Sequence, residues 1–143
     1  MKQLLLCSIV FVAVASPSCL ATDQCSRSEA ASADSAIDHL DSWDNVYHFF
    51  KQYGHCYDAS IAEGVDDKIQ LLWADHWENL HRMLELTTKD PKFKAFIWQR
   101  MSDQDFPADT HARILLKAKS SCPTGASEFC RTFVATAAGR KPN

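Results

Sequence analysis

Large apolar residues recur at helical spacing along most of the chain. Between Ser42 and Gly54 they fall at positions i, i+3, i+4 and i+7, which places them on one face of a helix. These residues are Trp43, Val46, Tyr47 and Phe50. Ser42 is a residue type that begins helices, and Gly54 is one that ends them. The pattern predicts an amphipathic helix, and the period-two alternation that is typical of strands is nearly absent from the chain.

The next segments are also predicted to be helical. A short helical segment is expected to end at Gly64. A long periodic segment then opens at Asp66 and Asp67, whose carboxylates suit the positive end of a helix. We expect this segment to kink or break near residues 74–75, because the indole of Trp77 falls outside its apolar face.

The strongest helix-start signal in the chain is Asp90 followed by Pro91. Asp is a favoured N-cap residue, and proline is favoured at the first helical position. A further helix is predicted to begin at Asp105 or Pro107, and a last one to span about residues 127–138. The loops between these segments are too short for parallel strand crossovers, so neighbouring helices are expected to be mostly antiparallel.

Together these segments predict one all-α domain over residues 22–143, a single compact bundle of five or six helices. Residues 22–36 are small and polar and contain no aromatic side chain. We expect them to form a loosely ordered arm that precedes the bundle.

Residues 1–21 have the order of a secretory signal peptide. One lysine precedes an apolar run of twelve residues, and small residues follow up to Ala21. The run is shorter than the roughly 20 residues that a membrane span needs. We therefore predict cleavage after Ala21 and a periplasmic or secreted protein. A retained membrane anchor and a lipoprotein modified at Cys19 are the alternatives.

Four of the six cysteines follow the predicted signal peptide. They are Cys25, Cys56, Cys122 and Cys130. An even number of cysteines in a small exported chain predicts two disulfides. Of the three possible pairings we favour 25–56, which ties the arm to the end of the first helix, and 122–130, which staples a turn onto a helix start. A zinc site is the alternative, but no CxxC pair or short Cys/His spacing favours it.

Composition and charge narrow the classes of partner. The chain has 143 residues, of which 46% are hydrophobic and 23% are charged, as is typical of a single globular domain. It carries 15 Lys and Arg against 18 Asp and Glu, a formal net charge of −3. A slightly acidic protein has no overall field that attracts phosphates, so nucleic acid is disfavoured as a partner. No phosphate-cradling or dinucleotide-binding motif is present in the sequence, and we predict no cofactor.

Two groups of polar residues could carry catalysis if they converged in a cleft lined by Trp73 and Trp77. The candidates are His55, Asp58, Glu63 and His76. Such a cleft would define a small secreted hydrolase, with Asp75 as a further carboxylate for glycoside cleavage. For His76 we favour a core histidine bonded to a carboxylate of residues 55–63, and the catalytic role is the alternative.

The segment from Trp43 to Trp77 resembles small exported proteins of Gram-negative bacteria that have no assigned activity. The resemblance is carried by its Gly-His-Cys-x-Asp and Ile-Ala-Glu-Gly stretches. In export and helical content the chain is also similar to periplasmic immunity proteins of the Tai and Rap families, which neutralise peptidoglycan-cleaving effectors. This resemblance implies a helical, exported, protein-binding role and transfers no functional residue.

The sequence therefore favours a non-enzymatic exported protein that binds another protein, as an inhibitor or an immunity protein; the hydrolase is the alternative. An acidic domain suits a basic partner such as a wall-degrading enzyme. The candidate docking charges are Asp38, Asp41, Asp44, Asp103 and Asp105. The alternative for these residues is that they are solvated charges at helix ends.

Overall fold

The computed structural model describes residues 24–103 and 106–138, and it describes only the backbone of Ser102 and Asp103. Within these residues the chain forms seven α-helices and no strand. They are α1 (Arg27–Ile37), α2 (Trp43–Tyr53), α3 (Ala59–Asp75), α4 (Leu80–Lys89), α5 (Pro91–Asp103), α6 (Ala108–Ser120) and α7 (Ser127–Ala137). Short 3₁₀ turns follow α2 (Gly54–Cys56) and precede α4 (Trp77–Asn79). The all-α prediction is confirmed, with seven helices in place of five or six.

Helix α1 occupies most of the segment that was expected to be a loose arm, so that expectation is wrong for residues 27–36. The Ser26 hydroxyl accepts a hydrogen bond from the backbone N–H of Glu29, and the Glu29 carboxylate accepts one from the N–H of Ser26. This reciprocal capping box stabilises the first turn of the helix. Ala33 is fully buried, because α1 packs closely against α3.

Helix α3 begins earlier than expected and runs through Gly64. A Cβ atom at Gly64 would lie 2.9 Å from Cδ1 of Ile37, so the glycine allows α1 to approach α3 and does not end a helix. The predicted interruption does occur: α3 ends at Asp75, and a 3₁₀ turn separates it from α4. The indole N–H of Trp77, which lies in this turn, donates to the carbonyl of Ser121 at 2.9 Å.

The predicted start of α5 is confirmed. A carboxylate oxygen of Asp90 accepts hydrogen bonds from the backbone N–H groups of Lys92 at 2.9 Å and Phe93 at 3.2 Å, and Pro91 occupies the first helical position. Because proline has no N–H, it leaves no donor unsatisfied there. This cap lets α5 follow α4 almost directly and pack against it.

The core is one continuous cluster centred on Trp73, whose side chain is fully buried. The indole lies 6.1 Å from the ring of Trp43 and 5.6 Å from that of Phe129, measured between centroids. These contacts join α2, α3 and α7. Aromatic side chains remove large apolar areas from water, which suits a domain of this size.

Both favoured cysteine pairs lie at disulfide-bonding distance, and the predicted pairing is confirmed. Cys25–Cys56 links the residue before the α1 cap to the turn after α2. Cys122–Cys130 links the end of α6 to α7 across a turn in which Gly125 has a φ of 85°, a value that favours glycine. Among the described helices, none combines the length and the hydropathy that crossing a membrane requires.

Candidate functional site

The four candidate catalytic residues do not meet in one cleft. Asp58 and His76 flank α3 at opposite ends, and a helix of 17 residues separates them by about 26 Å. His55 pairs with Glu29 of α1, with its Nε2 atom 3.3 Å from the carboxylate. Asp58 accepts the backbone N–H of the next residue, Ala59, at 2.8 Å.

The surroundings of His76 differ from the expected core position. Its side chain is 54% exposed, and its Nδ1 atom lies 3.6 Å from the carboxylate of Glu78 on the surface. Glu63 is also exposed, and Asp75 pairs with Arg113 of α6. The expectation of a buried His76 bonded to residues 55–63 is therefore wrong.

The tryptophans that were expected to line a cleft are buried in the core: Trp73 is 0% and Trp77 is 6% exposed. Both indole N–H groups have partners, the sulfur of Met83 for Trp73 and the carbonyl of Ser121 for Trp77. Neither ring is available to a substrate. The geometry thus does not assemble the hydrolase site that the sequence suggested as an alternative.

A different concavity, of about 280 Å³, lies where the start of α2 meets the start of α4. We call it the α2–α4 pocket. It is lined by Ser42, Trp43, Asp44, Leu72, Asn79, His81 and Arg82. Helix starts bring polar caps and backbone N–H groups to the surface, and α3 contributes the apolar residue beneath them. The result is a small hollow with polar walls and an apolar floor.

The wall of the α2–α4 pocket is fixed by an ion-pair network centred on Arg82. Its Nε atom lies 3.0 Å from one carboxylate oxygen of Asp44, and its Nη2 atom lies 2.6 Å from the other. Its Nη1 atom donates to Glu85 at 2.7 Å. These hydrogen bonds lower the pKa of the Asp44 and Glu85 carboxyls and raise the pKa of the guanidinium. All three groups are therefore charged near neutral pH, and they hold each other in place.

The floor of the pocket contains an unusual donor. Trp43 is only 2% exposed, and its indole nitrogen has no hydrogen-bond acceptor among the described residues. Most buried polar groups in proteins are hydrogen-bonded, so the unpartnered N–H of Trp43 is an exception in the floor of this pocket.

The predicted docking residues fall partly at this pocket. Asp38 ends α1 and is exposed, and Asp41, which precedes the pocket residue Ser42, accepts the side-chain N–H of Asn45 at 2.8 Å. Asp44 lies in the pocket wall itself. These three carboxylates follow the connection from α1 to α2. The side chain of Asp103 and the whole of Asp105 lie outside the described residues.

Sequence reasoning missed Arg82 and Asn79 as pocket residues. The pairing of Arg82 with Asp44 joins residues 38 apart in sequence, so no local pattern reveals it. The contact of Arg82 with Glu85, three residues later, is visible as helical spacing. In the described part of the chain, no group of three or more His, Cys, Asp or Glu residues is arranged to hold a metal ion.

Comparison with known proteins gives no relative for this arrangement. No family model matches the chain, and neither a curated protein nor a solved structure is significantly similar to it. The case for function therefore depends on the geometry and charge of the site.

Proposed function

We propose that this protein is an exported binding module that inhibits or neutralises another secreted protein, and that the α2–α4 pocket receives a basic side chain of that partner. The observation that carries the proposal is the charge around the pocket. Asp44 lies in its wall, Asp41 and Glu78 each precede a lining residue, and Glu85 binds the same arginine as Asp44. Against these four carboxylates stand two cations, Arg82 and Lys89, which leaves a formal charge of −2 with histidine neutral.

The pocket has the features that a lysine or arginine side chain needs. Its apolar floor, from Leu72 and the edge of Trp43, can cover the methylene stem of a basic side chain. The charged head can then bind carboxylates at the rim, of which Asp41 makes only a surface hydrogen bond to Asn45. Complementary charge raises the rate of encounter and the specificity more than it raises affinity.

Export supports the choice of partner. Both disulfides suit an oxidising compartment, and residues 1–21 have the pattern of a signal peptide. The partner would then be a basic protein of the periplasm or the medium. The resemblance to immunity proteins is consistent with such a partner.

The docking proposal is tested by photo-cross-linking in cells that express the full chain. A benzophenone amino acid replaces Asn79 at the pocket, and in a control it replaces Ser60, which is exposed near the start of α3. Leu72 of the pocket lies about 18 Å along the helix from Ser60. We expect an adduct with one exported basic protein from position 79 only. Equal adducts from both positions would contradict docking at the pocket.

The purified partner then tests the role of charge. We expect Asp41→Asn to weaken binding about three- to tenfold, as for one partly exposed charge pair, and Asn79→Trp to abolish it by filling the pocket. Asp67→Asn removes an exposed carboxylate of α3 and serves as the matched control. The proposal fails if Asp41→Asn and Asp67→Asn have the same effect.

Export is tested separately on the native protein. We expect the mature chain in the periplasm or medium to begin at Thr22 and to contain no thiol that an alkylating reagent can label. A full-length cytosolic chain with free thiols at the four cysteines that follow residue 21 would contradict export. That result would not test the docking proposal for the α2–α4 pocket.

A further inference from the structure

A second concavity, of about 510 Å³, lies between α6 and α7 and is open to solvent. We call it the α6–α7 groove. It is lined by Ala118, Cys122, Ser127, Cys130, Arg131, Val134 and Ala135. The Cys122–Cys130 disulfide forms part of its wall, and most of its remaining surface is apolar. Its size is typical of pockets that take small organic ligands.

The polar and apolar residues of the groove are separated along α7. Ser127 and Arg131 are one helical turn apart and lie on the same side of the helix. Val134 and Ala135 follow one turn later. The groove therefore changes from polar to apolar over about 12 Å, the rise of eight helical residues.

Arg131 is a free cation at the polar end. It makes no ion pair or hydrogen bond among residues 24–103 and 106–138 and is exposed. The nearest acidic residue on its helix, Glu128, is bound instead by Lys94 of α5 at 3.0 Å. The hydroxyl of Ser127, the first residue of α7, likewise makes no hydrogen bond within the described residues.

We infer that the α6–α7 groove binds the monomer of a single-chain fatty carboxylate. The carboxylate accepts hydrogen bonds from the Arg131 guanidinium, whose planar fork matches it, and from the Ser127 hydroxyl. The alkyl chain lies over Ala118, Val134 and Ala135 and covers apolar surface that water now contacts. This site is separate from the α2–α4 pocket and does not depend on its function.

The experiment measures binding of octanoate, decanoate and dodecanoate to the oxidised mature protein, below their micelle concentrations, by calorimetry and amide chemical shifts. We expect shifts at α6 and α7 and an affinity that rises with each added methylene. Full burial of a methylene gives about fourfold, so an open groove gives less. Dodecanol, which lacks the charge, should bind more weakly than dodecanoate.

Variants then separate the two ends of the groove. Arg131→Gln should weaken dodecanoate about tenfold or more and leave dodecanol unchanged, because only the charged hydrogen bond is lost. Ala135→Glu should weaken both ligands, since it places a charge in the apolar end. Arg27→Gln, which replaces an exposed arginine of α1, is the matched control and should change neither affinity.

Three results would each overturn the inference. One is equal affinity for octanoate and dodecanoate. Another is an unchanged affinity for dodecanoate in both Arg131→Gln and Ala135→Glu, when circular dichroism shows that both variants are folded. The third is binding to vesicles that contain anionic lipid without binding of the monomers, which would indicate a membrane surface as the occupant.

Discussion

Arg100 shows how a single charged residue is accommodated inside this small core. It is 5% exposed, and its guanidinium carbon lies 3.7 Å from the ring centroid of Phe96 and 3.9 Å from that of Tyr57. Its Nη1 atom donates to the carbonyl of Phe96 at 2.6 Å, and its Nε atom lies 3.6 Å from the carboxylate of Asp66. A buried charge needs partners of this kind, because it has lost its water.

Tyr57 is part of the same cluster, and its ionisation gives a testable consequence. Burial raises the pKa of Tyr57 to about 12, and the hydrogen bond that its hydroxyl donates to Asp66 adds to the effect. A raised pKa favours the neutral phenol, so its contribution to stability is full below pH 10, the ordinary value, and is lost as the pH rises through about 12. We expect ultraviolet absorbance to show a phenol that ionises near pH 12 and is missing in Tyr57→Phe. An unchanged titration curve in that variant would refute the assignment.

Asp90 combines a helix cap with a charge pair, and two variants separate these roles. Its pKa is lowered by hydrogen bonds from the N–H of Phe93, from the Lys51 ammonium and from the N–H of Lys92. Asp90→Ala removes both roles and should lower Tm by several degrees, as loss of a cap does in a small domain. Asp90→Asn keeps the cap acceptor and should lower Tm less. If thermal melts give the same Tm for both variants, the cap does not contribute as described.

At the scale of elements, local signals predicted the helices whose ends and faces are marked by strong residue types. Asp90 and Pro91 are such a signal, and α5 begins there. Helix α1 was missed because its contacting face consists mainly of small residues such as Ala33, with Ile37 as the one large side chain, and the periodicity of large side chains cannot detect such a face. The capping box of Ser26 and Glu29 was visible in the sequence and indicates the correct start.

Because α1 contacts α3 at Gly64, the substitution Gly64→Ala should have opposite effects on stability in two backgrounds. Alanine is favoured over glycine in a helix by about 1 kcal/mol. In the native background the new Cβ would meet Ile37 at 2.9 Å, so Gly64→Ala should fail to stabilise the protein or should destabilise it. With Ile37→Ala, which removes the obstacle, the same change should stabilise by about 1 kcal/mol. Urea unfolding of the four proteins measures this coupling, and additive effects would show that the two helices are not in this contact.

At the scale of the whole molecule, the fold class followed from the sequence, but the α2–α4 pocket did not. The spacing of hydrophobic residues is a local property of the sequence, and it was sufficient to predict an all-α bundle with a buried aromatic core. The pocket depends on the approach of Asp44 to Arg82, which the packing of α2 on α4 brings about. The sequence showed a run of carboxylates from Asp38 to Asp44. Only the tertiary structure shows that this run leads into the wall of a pocket, at Asp44. The predicted convergence of Asp58 and His76 failed for a related reason, because the length of α3 separates them.

One disulfide joins cysteines that are far apart in the sequence, and the other joins cysteines that are close together. Their effects on stability should therefore differ. Cys25–Cys56 spans 31 residues, and Cys122–Cys130 spans 8. A cross-link that closes a longer loop removes more entropy from the unfolded chain, which gives about 3.7 kcal/mol for the first and about 2.5 kcal/mol for the second. Replacing Cys25 and Cys56 by serine should accordingly lower the free energy of unfolding more than replacing Cys122 and Cys130. The first change should also release α1, so that its amide protons exchange faster with solvent than those of α5. Denaturant unfolding with hydrogen exchange measures both effects, and the reverse order of stabilities would show that native contacts, and not loop length, determine what each disulfide contributes.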